Sequence, residues 1–311
     1  MSDSVVPPPA QPPVKLETPQ QFREFIDQFD TFLFDCDGVL WSGSQQIPHV
    51  GEVLNYLRDL GKSLIFVTNN STASRQSYVP KFEKLGLSVD PSEVFPSSYS
   101  AACYISTVLQ IPTGSKLFVI GESGITSELT DLGYIVLGGD NEEDRRAWHD
   151  EEYDAIVPDG DVKAVVVGLD RHINYAKLAR GYHHLQVPGC HFIATNTDAT
   201  YPSSRKLFPG AGSILAPLEL MVGRKAVSCG KPHPAMMDAI EGVRGVDRAR
   251  TCMVGDRLDT DVKFGVDSGL GGTLAVLTGV VKEEEIVSGR FGVWSKYYAE
   301  SLGELIKAKQ Q

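Results

Sequence analysis

Phe32-Leu33-Phe34-Asp35-Cys36-Asp37-Gly38 drives an apolar run straight into two carboxylates and a glycine. In a strand, residues two apart share a face, so Asp35 and Asp37 would project from one side at its carboxyl end. Like charges held together there cost free energy and need a compensating group; a bound Mg²⁺, which prefers carboxylate oxygens, is one. Gly38 lets the chain turn sharply away. A polar strand end with a glycine turn would look the same, so this segment alone leaves both readings open.

Outward from it, further apolar runs recur: TFLF (31–34), SLIFVT (63–68), KLFVI (116–120), KAVVVGL (163–169), HFIAT (191–195), TCMVG (251–255) and GTLAVLTG (272–279). Near-continuous Val, Ile, Leu and Phe mark strands buried on both faces, as in a parallel sheet covered by helices. The intervening segments 49–60, 74–85, 174–186, 213–222, 234–244 and 299–308 read as helices. Repeated β-then-α units specify an α/β, doubly wound parallel-sheet fold. Such sheets take ligands at the carboxyl ends of their strands.

Two more such ends, and one turn before a helix, carry polar groups. Ser63-Leu64-Ile65-Phe66-Val67-Thr68-Asn69-Asn70 finishes in a hydroxyl and two amides, neutral groups suited to phosphate oxygens but equally to capping a helix. Cys229-Gly230-Lys231-Pro232-His233-Pro234 puts a lysine in a turn that opens a helix; a solvated surface lysine would read alike. Met253-Val254-Gly255-Asp256-Arg257-Leu258-Asp259-Thr260-Asp261 is again an apolar strand ending in a carboxylate, with Asp259 or Asp261 also explicable as helix caps. Capping does not explain why several strands all end in groups suited to a metal-bound phosphate.

The 311 residues are enough for about two domains. With 29 basic against 40 acidic side chains the net charge is −11, which disfavours a nucleic-acid partner, and no basic patch offsets it. No run reaches the roughly 18 apolar residues of a membrane helix, so no membrane partner is expected. Five scattered cysteines suggest neither a disulfide framework nor a zinc site, and Cys36 reads as a small packing residue. Residues 1–20 read as a solvated Pro-rich tail without a secretory pattern, which makes a cytoplasmic address the expectation. The charged run 140–154 reads as solvated surface, while FPSSYS (95–100) and TYPSSRKLFPGAGS (200–213) look like linkers.

In chain order DCDGVLW (35–41), VTNNST (67–72), GKPHP (230–234) and GDRLDTD (255–261) resemble the haloacid dehalogenase (HAD) superfamily of aspartate-nucleophile phosphatases. The likeness runs along most of residues 30–290 and is nearest the branch of 4-nitrophenylphosphatases, phosphoglycolate phosphatases and pyridoxal phosphate phosphatases. It implies a Rossmann-like core over 21–96 and 207–311 with a smaller α/β cap of the C2 type inserted over 97–206. It implies Asp35 as nucleophile and Asp37 as general acid and base. Mg²⁺ would be held by Asp35, the Asp37 backbone carbonyl and Asp256, with Asp261 orienting from behind. Thr68, Asn69, Asn70 and Lys231 would bind the phosphate. In ATNTDATYP (194–202), Tyr201 stands where pyridoxal phosphate phosphatases carry histidine, which argues for small aliphatic or aryl esters; an anchoring aromatic is the equal alternative. The expected substrates are small-molecule phosphate esters such as 2-phosphoglycolate, with 4-nitrophenyl phosphate as an artificial one. Pyridoxal phosphate, a phosphoprotein, or phosphoryl transfer to an acceptor are the alternatives. Caps of this kind often pair in homodimers.

Overall fold

The computed structural model describes residues 12–145, 148–203 and 206–310, without the side chains at 150–152. Its main sheet has seven strands, in the spatial order Val14–Lys15, Tyr297–Ala299, Gly272–Val276, Thr251–Gly255, Thr31–Phe34, Ser63–Thr68, Val94–Pro96. Every adjacent pair is parallel. The Thr31–Phe34 strand sits where the winding reverses: the chain leaves it for Ser63–Thr68 on one side and returns to Thr251–Gly255 on the other. Asp35 therefore emerges at the topological switch point, where the crevice of a doubly wound sheet lies.

The strand's alternation explains its burial. Phe32 and Phe34 face the helices Pro19–Asp27 and Val50–Asp59, whereas Leu33 faces Met236, Met237 and Ile240 of helix Ala235–Arg244. In Val50–Asp59 the buried Val50, Val53, Leu54 and Leu57 form one apolar stripe.

A second, five-stranded parallel sheet runs Val227–Ser228, His191–Ala194, Val162–Val167, Lys116–Ile120, Ile135–Gly138. Four of its strands fall inside the expected 97–206, whereas its edge strand Val227–Ser228 lies beyond that range. Helix Ala211–Val222 packs Leu215 and Leu218 against Phe118 and Ile120.

Other expectations need correction. FPSSYS is no linker: Val94–Pro96 is the edge strand of the main sheet, and Ser97–Cys103 is a helix with every residue buried. Its serines are small enough to be enclosed, and Ser97 and Ser98 satisfy their hydroxyls on the carbonyls of Asn69 and Ala73. The segment 200–213 is an antiparallel hairpin, Thr200–Ser203 with Lys206–Pro209, whose tip at 204–205 lies outside the described residues. The helix expected over 299–308 is replaced by strand Tyr297–Ala299 and a 3₁₀ helix, Leu302–Lys309.

Part of the tail expected over 1–20 is structured. Val14–Lys15 joins the sheet edge beside Tyr297–Tyr298, and Thr18 with Gln21 forms a reciprocal capping box ahead of Pro19. Its first eleven residues lie outside the described part. No helix among the described residues is long and apolar enough to cross a membrane.

Candidate active site

Four strand ends converge on one buried polar cluster. Asp35 directly follows the last residue of its strand and donates its N–H to Val254 O at 2.9 Å. Asp35, Asp256 and Asp261 each offer a carboxylate oxygen, and these oxygens lie within 4.8 Å of one another. Lys231 Nζ enters between two of them, 2.6 Å from Asp35 Oδ1 and 2.8 Å from Asp261 Oδ1, and also donates to Val67 O. The lysine side chain is only 3% exposed and Asp35 14%.

Charge and burial compete here. Burial works to lower the Lys231 pKa, but Asp261 and Asp35 together outweigh it and raise the pKa above the ordinary lysine value. Burial raises the Asp35 pKa despite Lys231, and Asp261 and Asp256 add to the rise. Asp256 is raised for the same reasons, burial first and then Asp261, with the Val280 N–H opposing. Three carboxylates face one buried ammonium, so ionising all three together would leave negative charge in excess, and the raised pKa values of Asp35 and Asp256 are the consequence.

Each acid has a distinct setting. Asp256 Oδ2 accepts from Val280 N–H at 2.9 Å, but Oδ1 is buried without a hydrogen-bond partner. Gly38 (φ +83°) passes so close that a Cβ would lie 2.5 Å from Asp256 Oδ2, which explains the glycine after the second aspartate. Asp261 is fully engaged: Oδ1 takes the lysine, and Oδ2 accepts the N–H groups of Asp256 and Arg257 at 3.2 and 3.1 Å. It braces the loop rather than offering a free ligand atom.

Asp37 departs from the shared-face expectation. Strand geometry ends at Phe34, the following loop closes by Gly38 N–H donating to Trp41 O, and the Asp37 side chain is 71% exposed, outside the acidic cluster. Trp41 Nε1 donates to Asp37 Oδ1 at 2.8 Å, and Lys81 Nζ lies over the Trp41 ring, 3.8 Å from the same oxygen. Trp41 and Lys81 went unremarked in the sequence; only the inclusion of Trp41 in DCDGVLW pointed there.

The TNN segment divides. Thr68 is buried, accepts from Asn70 N–H at 3.3 Å, and lies beside the buried Tyr78 hydroxyl. Asn70 Oδ1 accepts from Thr72 N–H and Oγ1, closing a turn. The assignment of the Asn69 amide to phosphate is corrected. Its Oδ1 accepts from Lys231 N–H, and its Nδ2 donates to Lys231 O and to Asp198 Oδ2, so no donor remains.

Asp198 belongs to the inserted unit. Burial raises its pKa against the Asn69 hydrogen bond. Its neighbours also reach the core: Asn196 Nδ2 donates to Asn69 O at 2.7 Å, and Thr197 Oγ1 pairs with His233 Nε2 at 3.2 Å. Tyr201 instead packs on Phe208 of its own hairpin, ring centroids 6.1 Å apart. The ATNTDATYP segment does meet the site, through Asn196 and Asp198. Cys36 is buried, its thiol pushed up by burial, then by Asp35 and Asp37.

Residues 32–135 match a family model described as haloacid dehalogenase-like hydrolase, and 228–305 match a second, HAD-hydrolase-like one. The 4-nitrophenylphosphatase of Schizosaccharomyces pombe is 47% identical over 94% of this chain and 98% of its own. The chain belongs to the haloacid dehalogenase-like hydrolases. Phosphoglycolate phosphatase 2 of Arabidopsis thaliana is 41% identical over 94% of this chain and 97% of its own. A glycerol phosphate phosphatase from Mycobacterium tuberculosis, solved in complex with magnesium, superposes with a TM-score of 0.72 at 29% identity, covering 90% of this chain and 77% of that one. This haloacid dehalogenase-like hydrolase is an enzyme of the phosphatase type, in the branch its motifs indicated.

Proposed function

We propose that the protein is a Mg²⁺-dependent phosphomonoesterase that passes the phosphoryl group of small esters to Asp35 and then to water. The observation that carries this reading is the buried Asp35–Lys231–Asp256 array with its unpartnered Asp256 oxygen. A buried polar atom left unsatisfied costs about 1–3 kcal/mol. A divalent cation would both satisfy it and favour the ionised form of the crowded carboxylates, so the donor set, all hard oxygens, fits Mg²⁺. Asp35, the Asp37 carbonyl and Asp256 would hold the ion, which when bound would neutralise the approaching phosphate dianion.

In the reaction an Asp35 oxygen attacks phosphorus in line as the ester oxygen departs. Asp37, exposed and oriented by Trp41, gives the leaving alkoxide its proton. A water then attacks the aspartyl-phosphate, Asp37 takes its proton, and inorganic phosphate leaves with Asp35 restored. Lys231 steadies Asp35 and the phosphoryl oxygens, and the Thr68 hydroxyl and Asn70 NH₂ supply further donors.

Asn196 and Asp198 reaching the site from the expected cap segment support small leaving groups. Relatives named for 4-nitrophenyl phosphate and phosphoglycolate support 2-phosphoglycolate-like esters as natural substrates. The test compares kcat/KM for 2-phosphoglycolate, glycerol 3-phosphate, pyridoxal 5′-phosphate, 4-nitrophenyl phosphate and a phosphopeptide. Phosphate release without an acceptor, abolished by EDTA and restored by Mg²⁺, is expected. Turnover undiminished by EDTA, or phosphate appearing only on an added acceptor, would refute the reading.

A further inference from the structure

Every hydrogen-bonding group of the Asn69 side chain is engaged, and from two directions. On the core side the amide forms a closed pair with the Lys231 main chain: Lys231 N–H donates to Oδ1 at 2.8 Å and Nδ2 donates to Lys231 O at 2.8 Å. On the other side the second Nδ2 hydrogen goes to Asp198 Oδ2 at 3.1 Å. The Asp198 carboxylate is itself well seated, its main chain accepting from Gly212 N–H at 2.9 Å and donating to Asn196 Oδ1 at 3.1 Å.

The lysine gripped in this way is the one whose ammonium meets Asp35. The inserted unit also crowds its approach. A Cβ on Gly230 would lie 2.6 Å from Thr195 O and 2.7 Å from Asn196 Cβ, and Cys229 N–H donates to Ala194 O at 2.8 Å. An asparagine side chain offers one acceptor and two donors; with all three committed, its plane is set by Lys231 and Asp198 jointly.

We propose that Asp198 is a positioning residue: through the Asn69 amide, the inserted unit fixes the Lys231 main chain and hence the ammonium beside Asp35. This rests on the reading of Asp35 and Lys231 as phosphoryl-transfer groups. Misplacing such a group by a fraction of its working distance slows chemistry at every substrate, whereas losing a substrate contact weakens binding.

The test uses full-length Asp198→Ala, which removes the acceptor, and Asp198→Asn, which keeps an oxygen for the Asn69 NH₂. In metal-free protein, hydrogen exchange at the Lys231 N–H is expected to quicken about 10-fold or more in D198A and to stay near wild type in D198N. With 4-nitrophenyl phosphate, kcat of D198A should fall about 10- to 100-fold with KM little changed, and D198N should recover most of it. Unchanged exchange at Lys231 in D198A overturns the proposal. So does a KM effect alone, which would make Asp198 a substrate contact, or exchange quickened equally across strand Lys116–Ile120, which would make it merely structural. Should D198A fail to fold, Asp198→Ser, too short to reach the amide, is read in the same way. If wild-type protein releases no phosphate from any ester, the proposed function fails while the exchange measurement still decides the link.

Discussion

Replacing Asp256 by asparagine should make the metal-free protein more stable while abolishing its response to Mg²⁺. Asp256 is 3% exposed, and its unpartnered Oδ1 shares the cluster with Asp35 and Asp261 oxygens within 4.8 Å. Two unit charges about 5 Å apart repel by about 3 kcal/mol at an effective dielectric near 20. Because burial and Asp261 already raise the Asp256 pKa, the group is part-protonated near neutrality and only some of that repulsion can be relieved. An asparagine keeps an oxygen for the Val280 N–H and turns an NH₂ toward the remaining carboxylates. A gain of roughly 1–2 kcal/mol follows, or a rise of roughly 2–8 °C in Tm for a chain of this size. The pH dependence has a definite sign. A carboxyl whose folded pKa lies above its unfolded one binds more protons in the native state, so stability falls as pH rises from the ordinary carboxylate range through the folded value. In EDTA the advantage of D256N over wild type should therefore widen between pH 4 and neutrality, roughly over that window. Wild type should gain about 2.7 kcal/mol in Mg²⁺ at a hundred times its Kd, and D256N almost nothing. Thermal unfolding by calorimetry, with and without Mg²⁺, is the assay. A D256N protein less stable than wild type in EDTA, or one still stabilised by Mg²⁺, would refute the charge argument.

Asp35→Asn should fold, since it too removes a charge from the cluster, and should form no acid-stable phosphoenzyme with labelled substrate; normal labelling would move the nucleophile elsewhere. Gly230→Ala drives a methyl against Thr195 O and Asn196 and should cost about 1–3 kcal/mol in denaturant unfolding with a fall in kcat; a silent substitution would contradict the close packing there. Trp41→Phe removes the indole N–H from Asp37 and should cost about 1–3 kcal/mol while lowering kcat severalfold, most for esters with poor leaving groups. Equal losses for 4-nitrophenyl phosphate and alkyl esters would argue against Asp37 as the acid that Trp41 orients.

Much of the core was legible because its signals are local. A strand buried on both faces must be apolar throughout, and a carboxylate at its end is conspicuous, so Asp35, Asp256 and the strands bearing them could be read directly. FPSSYS misled because serine and proline signal turns in isolation, yet Ser97–Cys103 is helical once its hydroxyls find the Asn69 and Ala73 carbonyls. Val227–Ser228 went unread because it is two residues long and has no pattern of its own; only its pairing with Ile193–Ala194 makes it a strand. The Asn69 amide was assigned to phosphate by residue type, and its partners lie in other parts of the chain.

Amino-acid order alone determined the periodicity of the elements, the α/β class and the inventory of acids, amides and lysine, because these depend on each residue and its near neighbours. Only the folded chain decided which groups are spent on one another and which stay available. Asn69 and Lys231 are 162 residues apart in the chain, yet they share two hydrogen bonds. Whether a side chain faces a substrate or a neighbour depends on the full set of partners that packing brings within about 3 Å, and no local pattern encodes that set.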